Sequence, residues 1–273
     1  MSDARQPPET SASFSVSLER GLSILSAFSG SRPVLGIADL ARAVGLNKST
    51  THRYVATLDK LYYVHQDPET RKYHLGPRVV DLGFAAIDSM ELTRVAAPSL
   101  QALADETGYT VSMALCDGPD VVYVDRRRSG RRRGPLTIDL NLHVGSRLPA
   151  YCTALGKAML AYKDAATLRQ ILDRTDMARR GPNTLTNREQ LMVALAKVRQ
   201  TGVAVNNEEL APGLRSFASP VRDRTGEVVA AINVAVHLSA APSASEALAA
   251  RLEPPLRRTA AEISRRLGYR APG

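Results

Sequence analysis

The 273-residue sequence predicts an α+β chain in two parts, a small helical domain closed by a β-hairpin and a larger domain built on an antiparallel sheet. Three observations predict it. Apolar residues recur at helical spacing from Leu18 to Leu61. Short strand-like runs, bounded by Gly, Pro and Asp turns, recur from Tyr109 to His237. Helical segments come in blocks between groups of strands rather than alternating with them one for one, which argues against a parallel α/β sheet.

Residues 1–13 have no apolar centre and read as a disordered tail. Residues 14–76 read as one domain. Leu18, Leu22, Leu25 and Phe28 form an apolar helical stripe, with Ser17 before it as N-cap. Ile37, Leu40, Ala41 and Val44 form a second stripe, stopped by Gly45, which supplies the positive φ of a tight turn. Asn47 then caps a third helix, whose inward face is Thr51, Tyr54, Val55, Leu58 and Leu61. Helix, short Gly-containing turn and helix is the helix-turn-helix spacing. The outward face of the third helix begins with Lys48, Ser49, Thr50, His52 and Arg53. Amides and hydroxyls at a positive helix end suit phosphate oxygens, and Arg suits guanine bidentately, so these residues with Asn47 are the candidate DNA-binding set. Two strand-like runs, residues 62–65 and 71–75, flank the turn 66–70 and form a wing, whose Arg71 and Lys72 would approach phosphate backbone.

Residues 77–92 read as a linker helix opened by Pro77, with apolar groups spread widely enough to suit burial between domains or subunits. Residues 93–273 form the larger domain. Its helices are expected at 92–107 (restarted by Pro98), 152–162, 164–173, 187–201 and 245–267, the last interrupted by Pro254 and Pro255. Its strands are expected at 110–116, 120–126, 135–142, 203–207, 216–222 and 227–237.

Composition narrows the function. No run of about 18 apolar residues exists, so no membrane-spanning helix is expected. Cys116 and Cys152 sit in no paired motif, which fits a reducing cytoplasm. The five histidines show no metal-ligand spacing and no glycine-rich phosphate loop exists, so neither metal nor cofactor is expected. The formal charge of +9 says little about DNA, because residues 1–92 hold ten Lys/Arg against ten Asp/Glu. The excess lies beyond residue 92, much of it in Arg126–Arg128 and Arg131–Arg133. That run reads as a hairpin loop, either solvated and phosphate-grazing or in contact with an effector or partner. An enzyme using Cys152 with His143 and Asp139 is the rival of a different class, and nothing local fixes such a triad. No catalytic residue is assigned. A ligand-independent DNA-binding protein, with the sheet as a dimerisation platform, is a third reading.

From about Phe14 to Leu267 the chain resembles the IclR family of bacterial transcriptional regulators. The resemblance runs through SLERGLSILSAF, IADLARAVGLNKSTTHRYVATL, GSRLPAYCTALGKAMLA at 145–161 and EELAPGLRSFASPVRDRTGEVVAAINVAVH at 208–237. The last two look most like the branch that controls aromatic-acid catabolism. The resemblance implies a winged helix-turn-helix, a linker helix and a GAF-like effector domain. It also implies an operator as partner, a small organic acid as effector, and homodimers that often pair into tetramers. By the family's pattern Ala154 and Leu155 line the effector site, faced by Asn206, Ser216, Asn233 and Ala235. The small-residue segment around Thr153 offers free backbone N–H groups at a helix start. Arg147 stands either to pair a carboxylate or to lie at the surface. Relatives usually carry an acidic residue at Asn206-Asn207, so the two amides are expected to favour a more anionic or hydroxylated ligand.

Overall fold

In the computed structural model, residues 14–30, 32–89, 91–129, 142–238 and 245–270 are described. The chain divides into two compact units, Met1–Ser89 and Met90–Gly273. The expected strand at 135–142, apart from its last residue, and the second arginine cluster, Arg131–Arg133, lie outside the described residues.

The smaller unit holds α1 (Val16–Ser26), α2 (Ile37–Val44), α3 (Lys48–Lys60), β1 (Val64–Gln66), β2 (Tyr73–Leu75) and α4 (Pro77–Ser89). Its core is Ile24, Phe28, Leu35, Leu40, Val55, Val64 and Tyr73. The two strands pair antiparallel, and Leu35 and Tyr73 exchange both backbone hydrogen bonds at 2.9 Å, fastening the hairpin to the segment before α2. The expected stripe of α1 is partly overturned. Ile24 and Phe28, one turn apart, carry its burial, whereas Leu18 and Leu22 are 63% and 55% exposed. The cap is Ser15 rather than Ser17, its Oγ accepting from the Leu18 N–H.

The larger unit holds α5 (Glu91–Thr107), β3 (Thr110–Asp117), β4 (Asp120–Arg127), β5 (Arg147–Pro149), α6 (Ala154–Leu160), α7 (Ala165–Asp173), α8 (Arg188–Thr201), β6 (Ala204–Asn207), β7 (Leu214–Arg222), β8 (Val228–His237) and α9 (Ser245–Arg266). The six strands form one antiparallel sheet in the order β5-β4-β3-β8-β7-β6. Helices cover both faces. Towards α5 and α9 the strands present Val111, Met113, Phe217, Ile232, Val234 and Val236, large apolar side chains that fill the layer. Alternate positions face α6, α7 and α8, and many there are small or polar, among them Ser112, Ala114, Ser216, Ala218, Ala231 and Asn233. Small groups opposite a helix leave space, and that asymmetry opens a cavity on the α6 side.

Three expectations about the larger unit change. Neither Pro98 nor Pro254-Pro255 breaks its helix. Each helix is pinned to the sheet on both sides of its prolines, α9 through Leu248, Leu252, Leu256, Ala260 and Ile263, and that burial outweighs the lost backbone donors. The expected strand 120–126 extends by one residue, so that Arg126 and Arg127, read also as the start of the arginine loop, both belong to strand β4. The short edge strand β5 was not foreseen.

Candidate nucleic-acid interface and ligand cavity

The first candidate site is the start of α3. Gly45 takes φ +67°, the left-handed conformation that turns α2 into α3. Asn47 Oδ1 accepts the Thr50 N–H at 2.8 Å, and the Asn47 carbonyl accepts the Thr51 Oγ1–H at 2.9 Å. Thr51 and Val55, both fully buried, fix which face of α3 turns inward. The other face is thereby committed: Lys48, Ser49, His52 and Arg53 are exposed and Thr50 is half-buried. No acidic residue occupies the first turn, so nothing there offsets the positive helix end. Asn47 acts as the cap that holds the turn. Arg71 and Lys72 are exposed on the hairpin, Arg71 at φ +57°, where the Asp67 side chain organises the turn through the Thr70 N–H at 2.7 Å.

The second candidate is the cavity beneath α6. Two neighbouring cross-strand rows form its floor. Arg126, Ser112 and Asn233 are direct partners across β4, β3 and β8. Thr110, Ala235, Ser216 and Asn206 are direct partners across β3, β8, β7 and β6. All seven line the cavity, and Thr153 and Ala154 face them from the start of α6. Tyr123, Leu142, Leu210 and Leu214 complete the described wall.

The frame of this cavity is hydrogen-bonded. Asn206 Nδ2 donates to the Cys152 carbonyl at 2.8 Å and Asn206 Oδ1 accepts the Glu209 N–H at 3.1 Å, so the amide braces β6 against the α6 start. Asn233 Oδ1 accepts the Ser112 N–H at 3.2 Å. Behind Asn206, Lys157 and Glu209 form a buried ion pair; burial pushes the lysine below its ordinary range despite the carboxylate. Gly156 permits the tight start of α6, since a Cβ there would lie 2.1 Å from the Ala150 carbonyl oxygen.

Of the sequence-derived cavity residues, Thr153, Ala154, Asn206, Ser216, Asn233 and Ala235 come together here. Leu155 is instead packed in the core behind α6. Arg147 sits on β5, bonded to Asp117 at 2.6 Å and to Asp120 at 3.4 Å, away from the cavity lining. The Gly156 N–H at the helix start is taken by Thr153 Oγ1 at 3.1 Å, so it is not free for an anion. Asn207 points elsewhere, its Oδ1 accepting from the Arg215 guanidinium at 2.9 Å.

Sequence reasoning missed Ser112, Tyr123 and the direction of Arg126. Arg126 escaped because strand alternation puts residues three apart on opposite faces. A register shift opposite Met113/Ala114 skips Val124, so Tyr123 and Arg126 both reach the cavity while Val124 joins the opposite core. Burial pushes the Tyr123 phenol up to about 12, which keeps it protonated. Cys152 is also raised, to about 11, chiefly by burial, and its thiol lies 3.8 Å from the Pro149 carbonyl. A protonated, enclosed thiol is the opposite of an activated nucleophile.

A family model described as the bacterial transcriptional regulator IclR C-terminal domain matches residues 84–265, and one described as the IclR helix-turn-helix domain matches residues 17–68. The Pca regulon regulatory protein of Pseudomonas putida is 37% identical over 225 residues, covering 82% of this chain and 75% of that protein. The HTH-type transcriptional regulator XynR of Escherichia coli is 34% identical over 255 residues, covering 93% and 98%. The crystal structure of a transcriptional regulator from Rhodococcus sp. RHA1 superposes with a TM-score of 0.77 at 35% identity, covering 93% and 98% of the two chains. Among the described residues, no helix is long and apolar enough to cross a membrane.

Proposed function

The chain belongs to the IclR family of bacterial transcriptional regulators, with a helix-turn-helix domain and an effector-binding C-terminal domain, and from that premise we propose that a small organic acid of the aromatic type occupies its cavity and sets its affinity for an operator. The observation that carries the reading is the cavity itself: its floor takes polar side chains from five strands, and two of them, Arg126 and Ser112, keep buried polar atoms without a partner among the described residues. The relationship to a Pca regulon regulatory protein, together with the branch motifs at 145–161 and 208–237, favours an aromatic acid. A purely structural platform would bury such positions with apolar groups, as the opposite face of this sheet does.

On the DNA side, α3 enters the major groove, with Lys48, Ser49, Thr50, His52 and Arg53 towards bases and phosphates and Arg71 and Lys72 of the wing along the backbone. Two copies in a dimer would read half-sites about one helical turn apart. Effector binding acts by holding the arrangement it binds better, which requires unequal affinities for the two states. Selection of duplex DNA from a randomised pool with the full chain, at physiological salt, tests this. The expected product is a pseudo-palindrome with centres about 10 base pairs apart. A pool that stays unenriched would overturn the assignment.

A further inference from the structure

Two adjacent arginines end strand β4, and they are placed differently. Arg127 donates to both carboxylate oxygens of Asp125, at 2.7 and 2.9 Å. Arg126, turned to the other face by the skip at Val124, lines the cavity and pairs with no carboxylate among the described residues. Its Nε is buried and has no hydrogen-bond partner among the described residues. Burial and the neighbouring Arg128 both press its guanidinium towards neutrality, and only Tyr123 opposes them. Next to it across the strands stands Ser112, 1% exposed, whose Oγ is likewise buried without a partner. Leaving such groups unsatisfied costs about 1–3 kcal/mol each, and more for a charged one. Two such groups lie side by side at one end of one cavity, and a group with acceptor oxygens would satisfy both.

We propose that Arg126 is the anchor of the effector's carboxylate, which lies between the Arg126 guanidinium and Ser112 Oγ while the uncharged remainder of the ligand extends towards Ala235 and Ser216. This rests on the reading that the cavity is an effector site, and it adds which end holds the charge. Arg126 is the only charged residue among the described residues lining the cavity, so a ligand with a single carboxylate matches it. The far end is built differently. Both functional groups of Asn206 are already bonded to backbone, the Thr153 hydroxyl is engaged by the Pro149 carbonyl and the Gly156 N–H, and Ser216 presents a hydroxyl. That end suits a hydroxyl group and has no cation for a second carboxylate. The acid is therefore a hydroxylated monocarboxylate. The proton balance is simple: the acid binds ionised to an arginine that stays charged, with no proton transferred.

The test is isothermal titration of the full chain with 4-hydroxybenzoate and with protocatechuate, each compared with 4-hydroxybenzamide, which has the same shape without the charge. The native chain is expected to bind at least one acid more tightly than the amide. Arg126→Gln should weaken acid binding roughly tenfold to a hundredfold, the range for a charge-assisted hydrogen-bonded contact, and weaken amide binding clearly less, since the amide carbonyl loses only a bond to a neutral oxygen. Arg126→Lys should fall between, because it keeps the charge and loses the planar fork. Ser112→Ala should weaken the acid about fivefold. A thermal melt of Arg126→Gln controls for folding, and its midpoint should be unchanged or raised, since the variant removes a half-buried charge that pairs with no carboxylate among the described residues. Equal acid affinity in the native chain and Arg126→Gln, or preference of the native chain for the amide, would overturn the anchor and leave an effector site standing. No binding of any of these acids to the native chain would overturn both the anchor and the aromatic-acid reading.

Discussion

The two units of this chain put polar side chains to work in opposite surroundings. On α3, Lys48, Ser49, His52 and Arg53 stand in water, where an unpartnered charge costs nothing until DNA arrives. In the cavity of the larger unit, Ser112, Asn206, Ser216 and Asn233 are each at most 5% exposed, and every group must be bonded or waiting for a ligand. The lesson concerns tolerance. The face proposed to read DNA can change residue by residue without endangering the fold, because its geometry is set by Asn47, Thr51 and Val55 behind it. The cavity cannot, because binding groups and folding groups are the same side chains. Asn206 shows this most clearly: it borders the ligand space and also ties β6 to the segment before α6.

The contrast is broken most severely at Lys157. Replacing Lys157 with Met leaves the Glu209 carboxylate buried without its partner, and should cost about 3–5 kcal/mol in denaturant unfolding of the larger unit. Far-UV circular dichroism is the readout, as the chain has no Trp. The double variant Lys157→Met with Glu209→Gln should recover more than half of the loss. If Lys157→Met proves neutral, the claim that this pair frames the cavity fails.

A milder change sharpens the contrast from the other side. Arg53→Ala should cost about 1–3 kcal/mol of affinity for the selected operator and relax preference at one position of each half-site. Its melting profile and its affinity for 4-hydroxybenzoate should match those of the native chain, because the Arg53 side chain is exposed. Loss of stability together with DNA binding would mean that α3 lacks the independence argued for it.

The same difference explains what the sequence made legible. The helix-turn-helix could be read because its determinants are local: a Gly at the turn, an Asn cap three residues before the N–H it binds, and inward residues at helical spacing. The strands of the sheet could be read from alternation, and β3, β4, β7 and β8 lie close to where alternation puts them. The cavity was legible only through family resemblance, because its floor draws on five strands separated by up to 125 residues. Arg126 and Arg147 make the point. Arg147 looked suited to an anion and is already paired with Asp117 and Asp120. Arg126 looked like part of a loop and is turned inward by one skipped residue. A single bulge inverts the facing of everything after it, and no periodicity within β4 announces it. Lys157 was equally silent, since a lysine in a helix reads as surface until its buried carboxylate is seen.

The central claim is that one chain joins an exposed DNA-reading helix to a buried acid-reading cavity and couples them. The most direct test is the affinity of the full chain for its selected operator, measured by fluorescence anisotropy at physiological salt with and without saturating 4-hydroxybenzoate or protocatechuate. The account predicts that at least one acid shifts the operator affinity by about fivefold or more, the lower edge of ordinary allosteric coupling. It also predicts that Arg126→Gln abolishes the shift while leaving acid-free operator affinity unchanged. An operator affinity indifferent to both acids in the native chain would contradict it.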